Sequence, residues 1–207
     1  MNLVGADTVM PVDRRDLRRR LFELAAGQGG YFTAAQAKTL GYSHQAQAHH
    51  VGAGNWWRID RGLFRLAEWA PGAHDELARW TLWSRGRAVV SHESAMSVHG
   101  IGEFESRHIH LTVPPEFTMR NDAVELHYAE LPANDVSERS GYWVTTPLRT
   151  IIDIAANAPD EDQLARAIDD ARRAGLVTNR RLRSRAEALD PRAALYIERA
   201  IQQAETP

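Results

Sequence analysis

Residues 33–66 read TAAQAKTLGYSHQAQAHHVGAGNWWRIDRGLFRL, and this stretch decides the fold of the N-terminal part of the chain. Thr33 and Gln36 have the T-x-x-Q spacing of a capping box, so a short helix starts there, with Ala34, Ala37 and Leu40 as its apolar positions and Gly41 as its end. Ser43 is then placed to cap a further helix running to about Val51. Trp57 and Ile59 alternate, Asp60-Arg61-Gly62 supply a turn, and Phe64 and Leu66 alternate again, which predicts a β-hairpin with a charged tip. Upstream, Asp13 caps a helix with Leu17, Leu21 and Leu24 on one face, broken by Gly27, Gly29 and Gly30. Helix, short helix, tight turn, helix and hairpin make a winged helix-turn-helix, expected over residues 1–70.

That plan points to duplex DNA. A recognition helix presents its first turns to base edges, and here they carry Ser43, His44, Gln45 and Gln47. Glutamine can contact adenine with two hydrogen bonds, whereas Arg58 and Arg61 on the wing, with Lys38, suit phosphates. The alternative is a helical unit that docks only against protein. The arginines at 14, 15, 18, 19 and 20 are interleaved with Asp13, Asp16 and Glu23, which suits a self-paired, solvated face.

The whole chain has 207 residues, 43% hydrophobic and 25% charged, the balance of a folded globular protein. No apolar run is long enough to cross a membrane and no secretory leader is apparent, so the expected compartment is the cytoplasm. The absence of cysteine excludes disulfides, thiolate metal sites and cysteine nucleophiles. Net charge is −2, but it is unevenly spread: residues 1–70 are net basic, residues 71–160 strongly acidic and the remainder near balance. Lys38 is the single lysine, an arginine bias typical of a high-GC bacterial gene.

Residues 71–207 are expected to form a mixed α/β domain with a helical C-terminal tail, making the whole an α+β protein. Residues 75–84 read as a helix burying Leu77, Trp80 and Leu82. Val89 and Val90 lead into Ser91, expected as the cap of a helix carrying His92, Ser94, Ala95 and His99. Strands are expected over 108–113, 125–129 and 142–145. Thr146 then caps a helix with Pro147 at its first position and Leu148, Ile151, Ile152 and Ala155 as apolar residues.

These residues carry a resemblance. The winged helix ending in Arg61-Gly62-Leu63-Phe64 is followed by Ser91-His92-x-Ser94-Ala95, His99-Gly100, His110-Leu111-Thr112-Val113-Pro114, Leu131-Pro132-x-x-Asp135 and Val144-Thr145-Thr146-Pro147-x-Arg149-Thr150, then Asp153. In that order they resemble the AbiEi-type antitoxins of bacterial abortive-infection toxin–antitoxin pairs, including the MenA-type antitoxins. The resemblance implies a DNA-binding winged helix joined to a domain that neutralises a nucleotidyltransferase-like toxin encoded beside it, with repression of the shared operon. The acidic middle, represented by Glu116, Glu125 and Glu130, is expected to meet such a toxin's basic cleft.

No catalytic residue is assigned and no cofactor is expected. Ser91-His92-Glu93 does not form a triad, because adjacent side chains at one turn are expected to diverge. His108 and His110 alternate on a strand as a candidate ligand pair, but no carboxylate stands at a completing spacing, so no metal is expected. Arg149 and Asp153 are four apart, spaced to pair or to hold the strand-to-helix corner. No P-loop, kinase signature or D-x-E-x-K nuclease core is present, so an enzyme that inactivates the toxin by atypical phosphorylation stands only as an alternative, beside a stand-alone regulator. Downstream, Asp160 starts a helix with Leu164, Ile168 and Ala171 on one apolar face, Thr178 starts an Arg-rich stretch, and Asp190-Pro191 opens a last helix with Leu195, Ile197 and Ile201. The Arg180, Arg181, Arg183 and Arg185 face of that tail suits solvent first, and a second copy of the chain or the toxin next.

Overall fold

Capping organises the N-terminal unit of the computed structural model, which describes residues 13–103, 106–157 and 159–205. In α1 (Arg14–Ala26) the Asp13 carboxylate accepts the Arg15 N–H. The reciprocal Thr33–Gln36 box opens α2 (Ala34–Leu40), and Ser43 accepts the Ala46 N–H at the start of α3 (His44–Gly52). Gly41 ends α2 at φ 115°, where a side chain would be strained.

A strand not expected from the sequence, β1 (Tyr31–Thr33), lies between α1 and α2. It pairs antiparallel with β3 (Leu63–Leu66), whose other side takes β2 (Trp56–Asp60), giving the order β1-β3-β2. Gly30 makes this possible: at φ 82° it lies so close to Trp69 that a Cβ would sit 2.4 Å from the ring. The core gathers Leu21, Ala25, Phe32, Ala37, Tyr42, Trp56, Phe64 and Leu66. Trp56, not Trp57, is the buried tryptophan of the hairpin. A bulge between Arg58 and Asp60 shifts the register, so alternation counted back from the tip assigns the wrong face at the base.

The second unit begins at Glu76. Its described strands are β4 (Val89–Val90), β5 (Ile109–Val113), β6 (Val124–Tyr128), β7 (Val136–Arg139) and β8 (Tyr142–Thr145), in the order β6-β5-β4-β8-β7. The β4–β8 and β5–β6 pairs are parallel and the other two antiparallel. β7 was not expected: Val136-Ser137-Glu138-Arg139 has one apolar residue, and only pairing with β8 makes it a strand. One core packs Leu77 and Trp80 of α4 (Asp75–Trp83) with Val90, Leu111, Val113 and Val144. The other joins Met96 of α5 (His92–His99) to α6 (Pro147–Ala156), α7 (Glu161–Arg173), α8 (Asn179–Leu189) and α9 (Pro191–Glu205).

Two helical expectations need correction. Ser91 precedes α5 but makes no capping bond, because His92 follows at φ 50° and turns the serine hydroxyl to the His92 ring, 2.9 Å away. The same turn brings Ser91 and His92 together rather than letting them diverge. Leu195 is half exposed, since α9 buries Ala193, Ile197, Ala200 and Ile201 instead.

One buried carboxylate ties sheet to helices. Asp135, in a 3-10 turn before β7, accepts from Arg149 of α6 at 3.1 Å and from Arg185 of α8 at 2.9 and 3.0 Å. Its backbone oxygen takes the Thr146 N–H at the start of α6. Arg149 Nε also donates to Asp153 at 2.7 Å, as the four-residue spacing suggested.

Replacing Asp135 by Asn removes the carboxylate that Arg185 reaches and one of the two that hold Arg149, and is expected to lower unfolding free energy by about 1.5–3 kcal/mol in urea titrations. An effect under about 1 kcal/mol contradicts this account of the corner. Burial pushes the Asp153 carboxyl up to about 6 against the opposing pull of Arg149, from an ordinary value of 3.8. The folded state therefore binds a proton between those values that the unfolded chain does not. This group's contribution to stability must rise as pH falls from about 7 to about 4. Wild type should gain on Asp153→Asn between about pH 7.5 and about pH 5, and a constant difference contradicts that assignment.

Candidate nucleic-acid and partner interfaces

The Ser43 cap fixes where α3 starts, and it leaves Ser43, His44 and Gln45 exposed on the first turn. Lys38 is exposed near the end of α2, and Arg58 and Arg61 are exposed on the wing. Arg58 lies over the Phe64 ring at 5.6 Å, and the Arg61 N–H donates to Asp60 Oδ1 at 2.6 Å, which stiffens the tip. Gln47 differs from expectation. It is 4% exposed, and its Nε2 donates to the Ala34 and Tyr42 carbonyls at 3.1 Å each. Residues 44, 45 and 48 share the outer side, while the step to 47 turns that side chain inward; Gln47 clamps α3 to α2 and reads nothing outside.

Around α1 the arginines divide. Arg19 is held between Asp16 and Glu23, and Arg18 reaches Glu68, so these pair within the unit. Arg14, Arg15 and Arg18 also line an open groove of about 550 Å³ with Ser43, His49 and His50, alongside the start of α3. His50 stacks on Trp56 at 4.7 Å, and burial, then His49, hold its pKa below the ordinary value.

In the second unit Glu116, Glu125 and Glu130 are all exposed. Glu116 follows β5, while Glu125 and Glu130 lie on and just after β6, an edge strand. Glu125 does not simply face solvent: its carboxylate is 3.8 Å from His110 Nε2. The parallel register sets His110 opposite Glu125 and Thr112 opposite His127, so all four share one sheet face. There His127 stacks on His92 at 3.5 Å, and His110 Nδ1 lies 3.0 Å from His127 Nε2. Burial, then the neighbouring histidines, drives His92 down to about 2; burial, then His110, lowers His127 to about 4. His108 takes no part. It precedes the strand, exposed, with its N–H on Ser106 Oγ, so the expected 108–110 pair does not form. Ser91 is fully buried beside His92, which places that pair out of a substrate's reach.

A family profile described as the AbiEi antitoxin C-terminal domain matches residues 88–202, and one described as a transcriptional regulator, AbiEi antitoxin, matches residues 19–67. The chain belongs to the AbiEi antitoxin family. No curated protein matches it. Among solved structures, the RV2827C protein from Mycobacterium tuberculosis is similar in fold, with a TM-score of 0.59 at 15% identity over 95% of this chain and 80% of that one.

In this AbiEi antitoxin the histidine cluster was the feature missed from sequence. Glu125-x-His127 carries the alternation of a strand face, but only the pairing of β5 with β6 sets it beside His110. Among the described residues no helix is long and apolar enough to cross a membrane. The buried clamp at Gln47 is testable. Gln47→Ala leaves two inward carbonyls without their donor and is expected to cost about 1–3 kcal/mol in thermal or urea unfolding. Unchanged stability with weakened DNA binding would return Gln47 to a reading role.

Proposed function

We propose that this AbiEi-family protein neutralises a nucleotidyltransferase-like toxin encoded beside it by direct association, and represses their shared operon through its winged helix. The observation that carries the DNA half is the first turn of α3. It is capped by Ser43 and clamped by Gln47, so Ser43, His44 and Gln45 stand outward as a fixed set. Gln45 offers an amide for adenine, while Lys38, Arg58 and Arg61 supply phosphate contacts that set orientation. Seating such a helix in the major groove needs its outer face free, and nothing within the described unit covers it.

The toxin half rests on family membership and charge. A nucleotidyltransferase must attract nucleotide and RNA with a basic cleft, and the acidic region around Glu116, Glu125 and Glu130 is complementary to one. Such a match raises the association rate more than the affinity.

Arg58→Ala with Arg61→Ala should weaken binding to operator and unrelated duplex alike, and lower the salt slope by about 2. Gln45→Ala should cost about 1–3 kcal/mol on the operator and little on unrelated DNA. If neither variant changes duplex binding, the winged helix is a protein-docking unit. Glu116→Lys with Glu130→Lys, leaving Glu125 against His110, should slow association with the toxin by about tenfold and flatten its salt dependence. Unaltered kinetics would remove the acidic region from the interface.

A further inference from the structure

The face of β5 and β6 beneath the start of α5 collects more electron-pair donors than its own protons can satisfy. Ser106 has one hydroxyl hydrogen, and it points to the His108 carbonyl at 2.9 Å. Ser106 Oγ is also 2.8 Å from His110 Nε2, so in a neutral ring that nitrogen must be the donor. His110 Nδ1 is then a bare lone pair. Facing it are His127 Nε2 at 3.0 Å and Glu93 Oε2 at 3.1 Å. A proton on His127 can serve one of these contacts. Glu93 Oε2 is buried and accepts no well-directed hydrogen bond. Glu125 brings a second carboxylate: its oxygen and the ring nitrogens of His110 and His127 lie within 4.8 Å of one another.

We propose that His110, His127 and Glu125 hold a divalent transition-metal ion of the zinc class on this face, with Glu93 as a further carboxylate beside His110. Two imidazoles and a carboxylate, with water in a fourth place, form a borderline donor set that suits zinc better than calcium or magnesium. Tetrahedral ligands about 2.0–2.1 Å from zinc stand roughly 3.3 Å apart. His110 Nδ1 and His127 Nε2 already stand 3.0 Å apart, and a turn of the exposed Glu125 side chain, now 3.8 Å from His110 Nε2, completes the approach. Binding requires His127 to carry its proton on the other ring nitrogen, with no change in total charge on the rings. Ser106, by fixing His110 Nε2–H, acts as the outer partner that orients the ligand. The ion would join β5 to β6 beside the His92 ring that stacks on His127. The carboxylate that spacing along β5 does not offer comes from β6, where Glu125 stands opposite His110.

The test uses full-length, tag-free protein stripped with a chelator and then titrated with Zn²⁺ and with Co²⁺. One ion per chain is expected with a dissociation constant below about 10 µM, with visible Co²⁺ absorption of a four-coordinate site and a thermal midpoint raised by several degrees. Glu125→Gln, at an exposed position that leaves packing intact, should weaken binding by about tenfold or more, and Glu125→Gln with His127→Gln should abolish it. His49→Gln with His50→Gln, on α3, should bind as wild type does. Absence of saturable binding in the wild type overturns the proposal. So does equal binding by the Glu125/His127 variant, which would place the ion elsewhere.

Discussion

The second unit depends on what is done with one buried carboxylate. Asp135 is 3% exposed, and burying such a side chain without partners is costly. Arg149 and Arg185 both reach it, and each comes from a different helix, so the strand-to-helix corner, α6 and α8 are fixed to a single point. Asp153 shares Arg149 and leaves one oxygen buried without a hydrogen bond. Desolvation of such a group costs much of what the pairing returns, so the network specifies geometry more than it adds stability. Around it the Thr145–Thr150 hydroxyl pair at 2.7 Å and the His99 bond to the Thr145 carbonyl at 2.7 Å close the corner from the α5 side.

Much of this was legible because it is local. Caps at Asp13, Thr33, Ser43, Thr146, Asp160 and Thr178 depend on residues three or fewer apart, and each forms. Strands with several apolar residues were legible too. What failed depends on partners far along the chain. Tyr31–Thr33 is a strand only because β3 lies beside it, and Val136–Arg139 only because β8 does. Leu195 was misassigned because a shifted helix face moves the period without altering composition. Gln47 looked like a reader because helix spacing alone does not say which side faces α2.

The candidate sites divide along the same line. Lys38, Ser43, His44, Gln45, Arg58 and Arg61 were legible because exposed polar residues on a helix start and a hairpin tip follow from local pattern. His110, Glu125, His127 and Glu93 come from three elements, and no spacing in the sequence announces their meeting. Glu125 links two readings of the second unit: it belongs to the acidic surface offered to a toxin and stands 3.8 Å from His110. In the proposed account the winged helix supplies DNA recognition and the second unit supplies neutralisation, which needs a shaped, charged surface and no reacting group.

That last point is the central claim, and a titration decides it most directly. The nucleotide-transfer activity of the proposed toxin is measured against increasing amounts of this protein, with and without preincubation in ATP. Masking predicts inhibition complete near one protein per toxin and indifferent to ATP. Inhibition at far lower ratios, appearing only with ATP and leaving added mass on the toxin, would make the protein an enzyme and contradict the account.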